Sequence, residues 1–332
     1  MTTLRDYIGL LPRALGNIHL QNGSKDIFLF ATARGGSTWM MEILASQPGF
    51  KYYDEPFNVR RPNVQYAGVV REWREIMPDA GREADLIRFL QELQVNRHRY
   101  MNPLPFRRQH RFLTNRIVFK IHGLEHLINE IGSACKGHIV FLLRHPIPTT
   151  LSRYMFPRLD HFIASCHYQK NYLNDAQMRE IRQIFCSGDN FQRGILSWCF
   201  ENMIPLRFSE SQDWLFITYE ELLLNSAKTC QTLADRLQLS RVDTMLQAID
   251  TPAANINMSK QDTLKILQDS NELKRKLGMV RKWQDKVSDQ DQKKCFEILE
   301  LFGLDAYLPN RLVAHDRYLL HSDTLGVAQR GN

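Results

Sequence analysis

The apolar positions of this chain fall into short runs separated by stretches of helical period. Asp26–Thr32 is apolar and aromatic after its first residue, which predicts a buried strand. Small residues and glycines follow, then a helical pattern over Ser37–Ser46 closed by Pro48. Arg116–Ile121 predicts a second strand with a helix after it, and Ile139–Leu143 a third that stops before Pro146. A helix from about Pro148 to Tyr154 comes next, and residues 175–203 are mostly helical in pattern. "DWLFITYEELLLN" (213–225) reads as a strand running into a helix, and the following segment places Cys230, Leu233 and Leu237 on one helical face. Ser288–Asp291 suits a capping box before a final helix that Gly303 stops. Residues 1–24 read as an N-terminal arm. Residues 60–112 hold helical patterns near Gln65–Ile76 and Glu83–Gln94, then an arginine- and proline-rich stretch, Arg97–Arg111, and predict a substrate-side insertion over the core. Strands alternating with helices predict an α/β fold, one domain over residues 1–332, with a central parallel β-sheet covered by helices on both faces.

Composition narrows the class of ligand. With 43% hydrophobic and 24% charged residues, the 332-residue chain is an ordinary globular protein, not a fibre or a disordered tail. A formal charge of +7 favours an anionic ligand. No nucleic-acid recognition motif accompanies it, so nucleic acid is not expected as a partner. The six cysteines are widely spaced without a CxxC pair, which predicts neither a zinc site nor a disulfide scaffold and suits a reducing cytoplasm. The N-terminus does not read as a signal peptide, and runs such as Ile139–Leu143 are far too short to span a membrane.

The candidate chemistry starts at "ATARGGST" (31–38), between a strand and a helix. Glycines let a backbone approach a ligand closely, and the N–H groups and dipole of a helix start attract an anion. Ser37 and Thr38 add hydroxyls and Arg34 a planar guanidinium. A triphosphatase loop would read GxxxxGK[ST], but Gly36 stands where its lysine belongs. A second cluster, "VFLLRHPIPTTLSRY" (140–154), puts Arg144 at a strand end and Ser152 eight residues on.

Together these stretches resemble the sulfotransferases that use 3′-phosphoadenosine-5′-phosphosulfate (PAPS). "TARGGSTWMMEILASQPGFKYYDEPF" is similar to their 5′-phosphosulfate loop, with Arg34, Gly35, Gly36, Ser37, Thr38 and Trp39 in its places. Arginine here, and Glu55-Pro56 about twenty residues on, are features of the carbohydrate-type members. The resemblance implies a P-loop-NTPase-like sulfotransferase fold, PAPS as co-substrate, no metal and a hydroxyl-bearing acceptor. It implies that Arg144 and Ser152 hold the 3′-phosphate, that Tyr219 contacts the adenine and that Trp39 stacks on it. "KRKLGMVRKW" loosely resembles the segment closing over the 3′-phosphate, with Arg275, Arg281 or Lys282 as its charge.

Catalysis needs a base for the acceptor hydroxyl and positive charge for the leaving group. "RIVFKIHGLEHL" (116–127) is similar to the cytosolic motif carrying a catalytic histidine two residues after a lysine, which implies His122 and Lys120. Glu55 is the other candidate base, or an acceptor anchor. Lys120 and Arg34 would stabilise the bridging oxygen and sulfuryl group. The remaining histidines and the carboxylates of "YEELL" (219–223) are expected at the surface. The five arginines of Arg97–Arg111 suit an acidic or carrier-bound acceptor. A P-loop-like small-molecule kinase and a non-catalytic nucleotide-binding protein are the alternatives.

Overall fold

The structure, a computed structural model, describes residues 10–105, 110–209, 213–251 and 271–320. Residues 1–9 of the arm and 106–109 of the arginine-rich stretch lie outside them. Five strands form the central sheet: β1 (Asp26–Ala31), β2 (Phe50–Asp54), β3 (Arg116–Ile121), β4 (Gly137–Leu143) and β5 (Leu215–Thr218). Their spatial order is β2-β3-β1-β4-β5, and every pairing is parallel. The fold is therefore α/β with a five-stranded parallel sheet flanked by helices. β1 and β3 are buried at all six positions, because helices cover both faces and leave no polar side to alternate with.

The two faces have separate cores. Phe28 and Phe30 of β1 join Phe119, Phe141 and Trp198 on one side, with Phe28 stacked on Phe119 at 4.7 Å between ring centroids. Ile27 and Leu29 join Val118, Val140, Met40 and Leu233 on the other. This is the two-residue period of a strand read out as two hydrophobic layers. The helix Asn190–Phe208 packs on the first face; Ser37–Leu44, Ser226–Leu237 and Val242–Ile249 pack on the second.

Several boundaries differ from those the pattern predicts. β2 was not anticipated as a strand. It is an edge strand whose sequence, FKYYD, carries charge at two of five positions. Between β2 and β3, the helix Glu83–Gln94 forms as predicted, but Gln65–Ile76 divides into a helix at Pro62–Ala67 and a 3₁₀ turn at Trp73–Ile76, broken by Gly68 in the left-handed region. A two-stranded parallel ribbon, Ile18–His19 with Leu113–Thr114, ties the arm to the end of this region. The helix after β4 is Pro146–Leu151 and ends before Ser152. Among the described residues, no helix is long and apolar enough to cross a membrane.

Candidate functional site

The carboxyl ends of parallel strands open a crevice where neighbouring connections diverge to opposite sides of the sheet. Here that crevice lies at the end of β1, between β3 and β4. The loop 32–36 turns sharply into the helix Ser37–Leu44. Gly35 N–H donates to the Thr32 carbonyl at 2.9 Å, and Arg34 and Gly36 both take positive φ, 68° and 93°. Glycine is required at 36, since a Cβ there would sit 2.6 Å from Cδ2 of Tyr219. The helix opens on Gly36 with no side-chain cap, so its N-terminal dipole faces the crevice.

β3 delivers the next group. Lys120 is nearly fully buried, and its Nζ reaches Thr38 Oγ1 at 3.1 Å, Glu55 Oε1 at 2.9 Å and Asp54 Oδ1 at 2.5 Å. His122 follows the strand. Its Nε2 lies 3.1 Å from Ser37 Oγ and its Nδ1 3.5 Å from Glu55 Oε1. Glu55 is held just past β2 in the left-handed region, φ 54°, with its N–H on the Lys120 carbonyl at 3.0 Å. Non-glycine residues rarely tolerate that region. Asn58 donates to Glu55 Oε2 at 2.5 Å, and Arg61 bridges Asp54 at 2.5 Å and Glu55 at 3.5 Å.

The protonation states follow from these contacts. Burial by itself would raise the Glu55 pKa, but His122, Lys120, Arg61 and the Asn58 hydrogen bond together bring it well below the usual carboxylate range. Burial lowers the His122 pKa from its ordinary 6.5, and Glu55 offsets only part of that. Near neutral pH the site thus pairs a neutral imidazole with an ionised carboxylate.

The β4 end supplies the third part. The Arg144 guanidinium lies 4.0 Å from the centre of the Tyr219 ring and donates from Nη1 to the Arg34 carbonyl at 3.1 Å. Its buried Nε has no hydrogen-bond partner among the described residues, which fits an anion as the missing acceptor. Tyr219 also meets Trp39, with centroids 5.3 Å apart, while the Trp39 indole donates to the Ile249 carbonyl at 3.3 Å. So Arg34, Gly36, Trp39, Arg144 and Tyr219 converge, as do Ser37, Thr38, Glu55, Lys120 and His122.

Ser152 sits differently from its expected place. It caps the short helix Pro146–Leu151 instead of lying two turns inside one, and its hydroxyl donates to the Thr149 carbonyl at 2.8 Å. Arg281 ends the helix Glu272–Arg281, half-buried, its Nε without a hydrogen-bond partner among the described residues. That helix packs against the helix Tyr219–Leu224.

The surface assignment of "YEELL" is wrong. Glu220 and Glu221 are buried, and Glu220 accepts from the His145 N–H at 3.1 Å and from the Tyr307 hydroxyl at 2.9 Å. His145 is likewise fully buried, stacked on Trp283 at 4.6 Å, and is held neutral because burial and then Arg144 lower its pKa to about 3. The periodicity of a six-residue helix is too short to show that both of its faces are covered. Asp54, Asn58 and Arg61 were not singled out from sequence either. Asp54 adjoins Glu55 in the chain, but alternation along β2 does not reveal that two successive carboxylates share one lysine.

Among the described residues, no group of three or more His, Cys, Asp or Glu side chains is placed to hold a metal ion. Solved structures similar to this chain include the mouse sulfotransferase SULT7A1 complexed with PAP, at 16% identity over 87% of each chain and a TM-score of 0.41. The sulfotransferase domain of the Synechococcus PCC 7002 olefin synthase matches at 16% identity over 87% of this chain and 98% of its own, TM-score 0.41. That of the curacin biosynthetic pathway matches at 16% over 86% and 99%, TM-score 0.42. No curated protein matches. The family model of the sulfotransferase domain matches residues 24–301, most of the chain and every site residue above. With that match over a parallel sheet whose strand ends gather a glycine loop, a lysine and a histidine, the chain belongs to the sulfotransferase family.

Proposed function

We propose that this sulfotransferase takes its sulfuryl group from PAPS and passes it to a hydroxyl acceptor by in-line displacement. One observation carries the reading: His122, neutral by burial, stands between Ser37 of the glycine loop and the ionised Glu55, with Lys120 reaching the same loop at Thr38. When bound, PAPS supplies an activated sulfuryl group on a phosphate leaving group. The N-terminus of Ser37–Leu44, with Arg34, Ser37 and Thr38, is suited to hold the 5′ end. Arg144, whose Nε lacks an acceptor, is suited to the 3′-phosphate, with Arg281 and Ser152 as further candidates and Tyr219 and Trp39 beside the base.

His122 then removes the acceptor proton, for which a neutral imidazole, its pKa lowered by burial, is the right state. Glu55, 3.5 Å away, stabilises the imidazolium that forms; its depressed pKa makes it a weak base and a good counter-ion. Lys120 neutralises charge developing on the oxygen between sulfur and phosphorus. The acceptor enters past Arg61, which pairs with Glu55 at 3.5 Å; Asn96 and Asn102 hold the described part of Arg97–Arg111 against Lys51, near the amino ends of the strands and away from this site.

A thermal-shift comparison tests the donor assignment. 3′-Phosphoadenosine 5′-phosphate (PAP) at a hundred times its Kd is expected to stabilise the fold by about 2.7 kcal/mol, while ATP at equal concentration gives a smaller shift. A shift with ATP and none with PAP would replace this reading with the kinase one.

A further inference from the structure

The helix Asn190–Phe208 is buried at every position from Gly194 to Leu206, yet it carries Trp198, Glu201 and Asn202 in that span. Buried polar groups are costly unless their hydrogen bonds are made, so where these are made is informative. Each one reaches a different strand end of the site. The Trp198 indole N–H donates to the carbonyl of Arg144, at the end of β4, at 3.0 Å. Asn202 donates from Nδ2 to Thr32 Oγ1, at the end of β1, at 2.9 Å, and the same amide group donates to the Trp198 carbonyl at 2.6 Å. Glu201 pairs with Arg158 at 3.1 Å, Arg158 pairs with Glu125 at 2.8 Å, and Glu125 accepts from the N–H of Gly123, the residue after His122, at 2.9 Å.

A helix serving only as packing would need none of these groups. Trp198 and Asn202 lie four residues apart, one turn along the same helix face, and hold two points at once, the Arg144 carbonyl and the Thr32 hydroxyl. Those points are the start of the loop that bears Arg34 and the residue that bears Arg144. We propose that Trp198 and Asn202 are positioning residues for the donor nucleotide: they set the span between the loop and the β4 arginine. The inference rests on the PAPS reading. A doubly anionic ligand gripped at both ends is sensitive to that span, because misplacement of about an ångström is enough to cost orders of magnitude in a preorganised site.

Two double-mutant cycles with calorimetric PAP affinity as readout test it. Trp198→Phe keeps an aromatic ring and removes the donor; it is expected to weaken PAP about tenfold in the wild-type background and less than about twofold in Arg144→Ala. Asn202→Ala is expected to weaken PAP about fivefold alone and less than about twofold in Thr32→Val, a smaller and independent perturbation should the tryptophan variant fold poorly. Equal losses in both backgrounds would make the helix a core element only and overturn the proposal, as would unchanged affinity in both single variants. If wild-type protein fails to bind PAP, the donor reading falls and this inference with it. Wild-type binding with additive cycles removes the inference alone.

Discussion

At the scale of single residues, the His122–Glu55 pair decides how the site titrates. Four charged groups face His122: Glu55 and Glu125 raise its pKa, Lys120 and Arg158 lower it, and burial outweighs them all in the downward direction. Removing the Glu55 charge therefore leaves the lowering influences less opposed. In Glu55→Gln the ring protons of His122, followed by NMR, are expected to titrate at lower pH than in wild type. Wild type itself is expected below the ordinary 6.5. An unchanged or raised midpoint in the variant would mean that Glu55 does not act on the imidazole, and the counter-ion role would be lost. These residues were legible because their chemistry sits in short stretches: a glycine loop between strand and helix, a lysine two before a histidine, an arginine where an apolar run stops. Asp54 was not, because its pairing with Lys120 exists only once β2 has been placed beside β3, and Arg61 reaches the site only through Asp54 and Glu55.

Among the elements, β1, β3 and β4 stand out in the sequence because burial on both faces forces short apolar runs, in β3 the stretch Ile117–Phe119 between Arg116 and Lys120. β2 hides for the opposite reason. It is a short edge strand, and its polar positions serve particular partners: Lys51 an amide cluster, Asp54 the Lys120 ammonium. Asn190–Phe208 is readable as a helix, but not as the element on which three strand ends are tied. Its Glu201 takes both Arg153 nitrogens at 2.9 Å and Arg158 at 3.1 Å, with all three side chains almost fully buried. Removing one member of such a cluster leaves uncompensated charge in the core. Glu201→Ala is expected to cost about 3–5 kcal/mol in chemical denaturation, far more than a surface ion pair. A loss under about 1 kcal/mol would show that the two arginines find other partners or water, and that the tether between the helix and the His122 turn is dispensable.

Across the whole molecule, the parallel sheet separates two polar ends. The carboxyl ends of the strands carry the site; the amino ends carry Asp26, Lys51 and Arg116. Lys51 is almost fully buried, and its Nζ lies within hydrogen-bond distance of Oδ1 of Asn96, Asn102 and Asn17, at 2.8, 2.9 and 3.2 Å, and of the Tyr53 hydroxyl at 3.1 Å. Burial lowers its pKa from 10.5 to about 7, with Asp26 opposing. Burial raises that of Asp26 from 3.8 to about 6, against hydrogen bonds from Gln94 and the Ile117 N–H. The two shifts affect stability in different windows. Between about 7 and 10.5 the unfolded chain holds a proton on Lys51 that the folded chain does not, so this residue makes stability rise with pH there. Between 3.8 and about 6 the folded chain holds the extra proton, on Asp26, so that residue makes stability fall as pH rises. Lys51→Met fills a similar volume and cannot titrate. Each curve also carries the other ionisable groups, but their contribution largely cancels in the difference between wild type and variant. That difference is expected to move in favour of wild type from pH 7 to pH 9.5, with a slope approaching about 1.4 kcal/mol per pH unit. Parallel denaturation curves over that range would mean that Lys51 stays charged inside its ring of amides, and that the amide oxygens solvate an ammonium as well as water does.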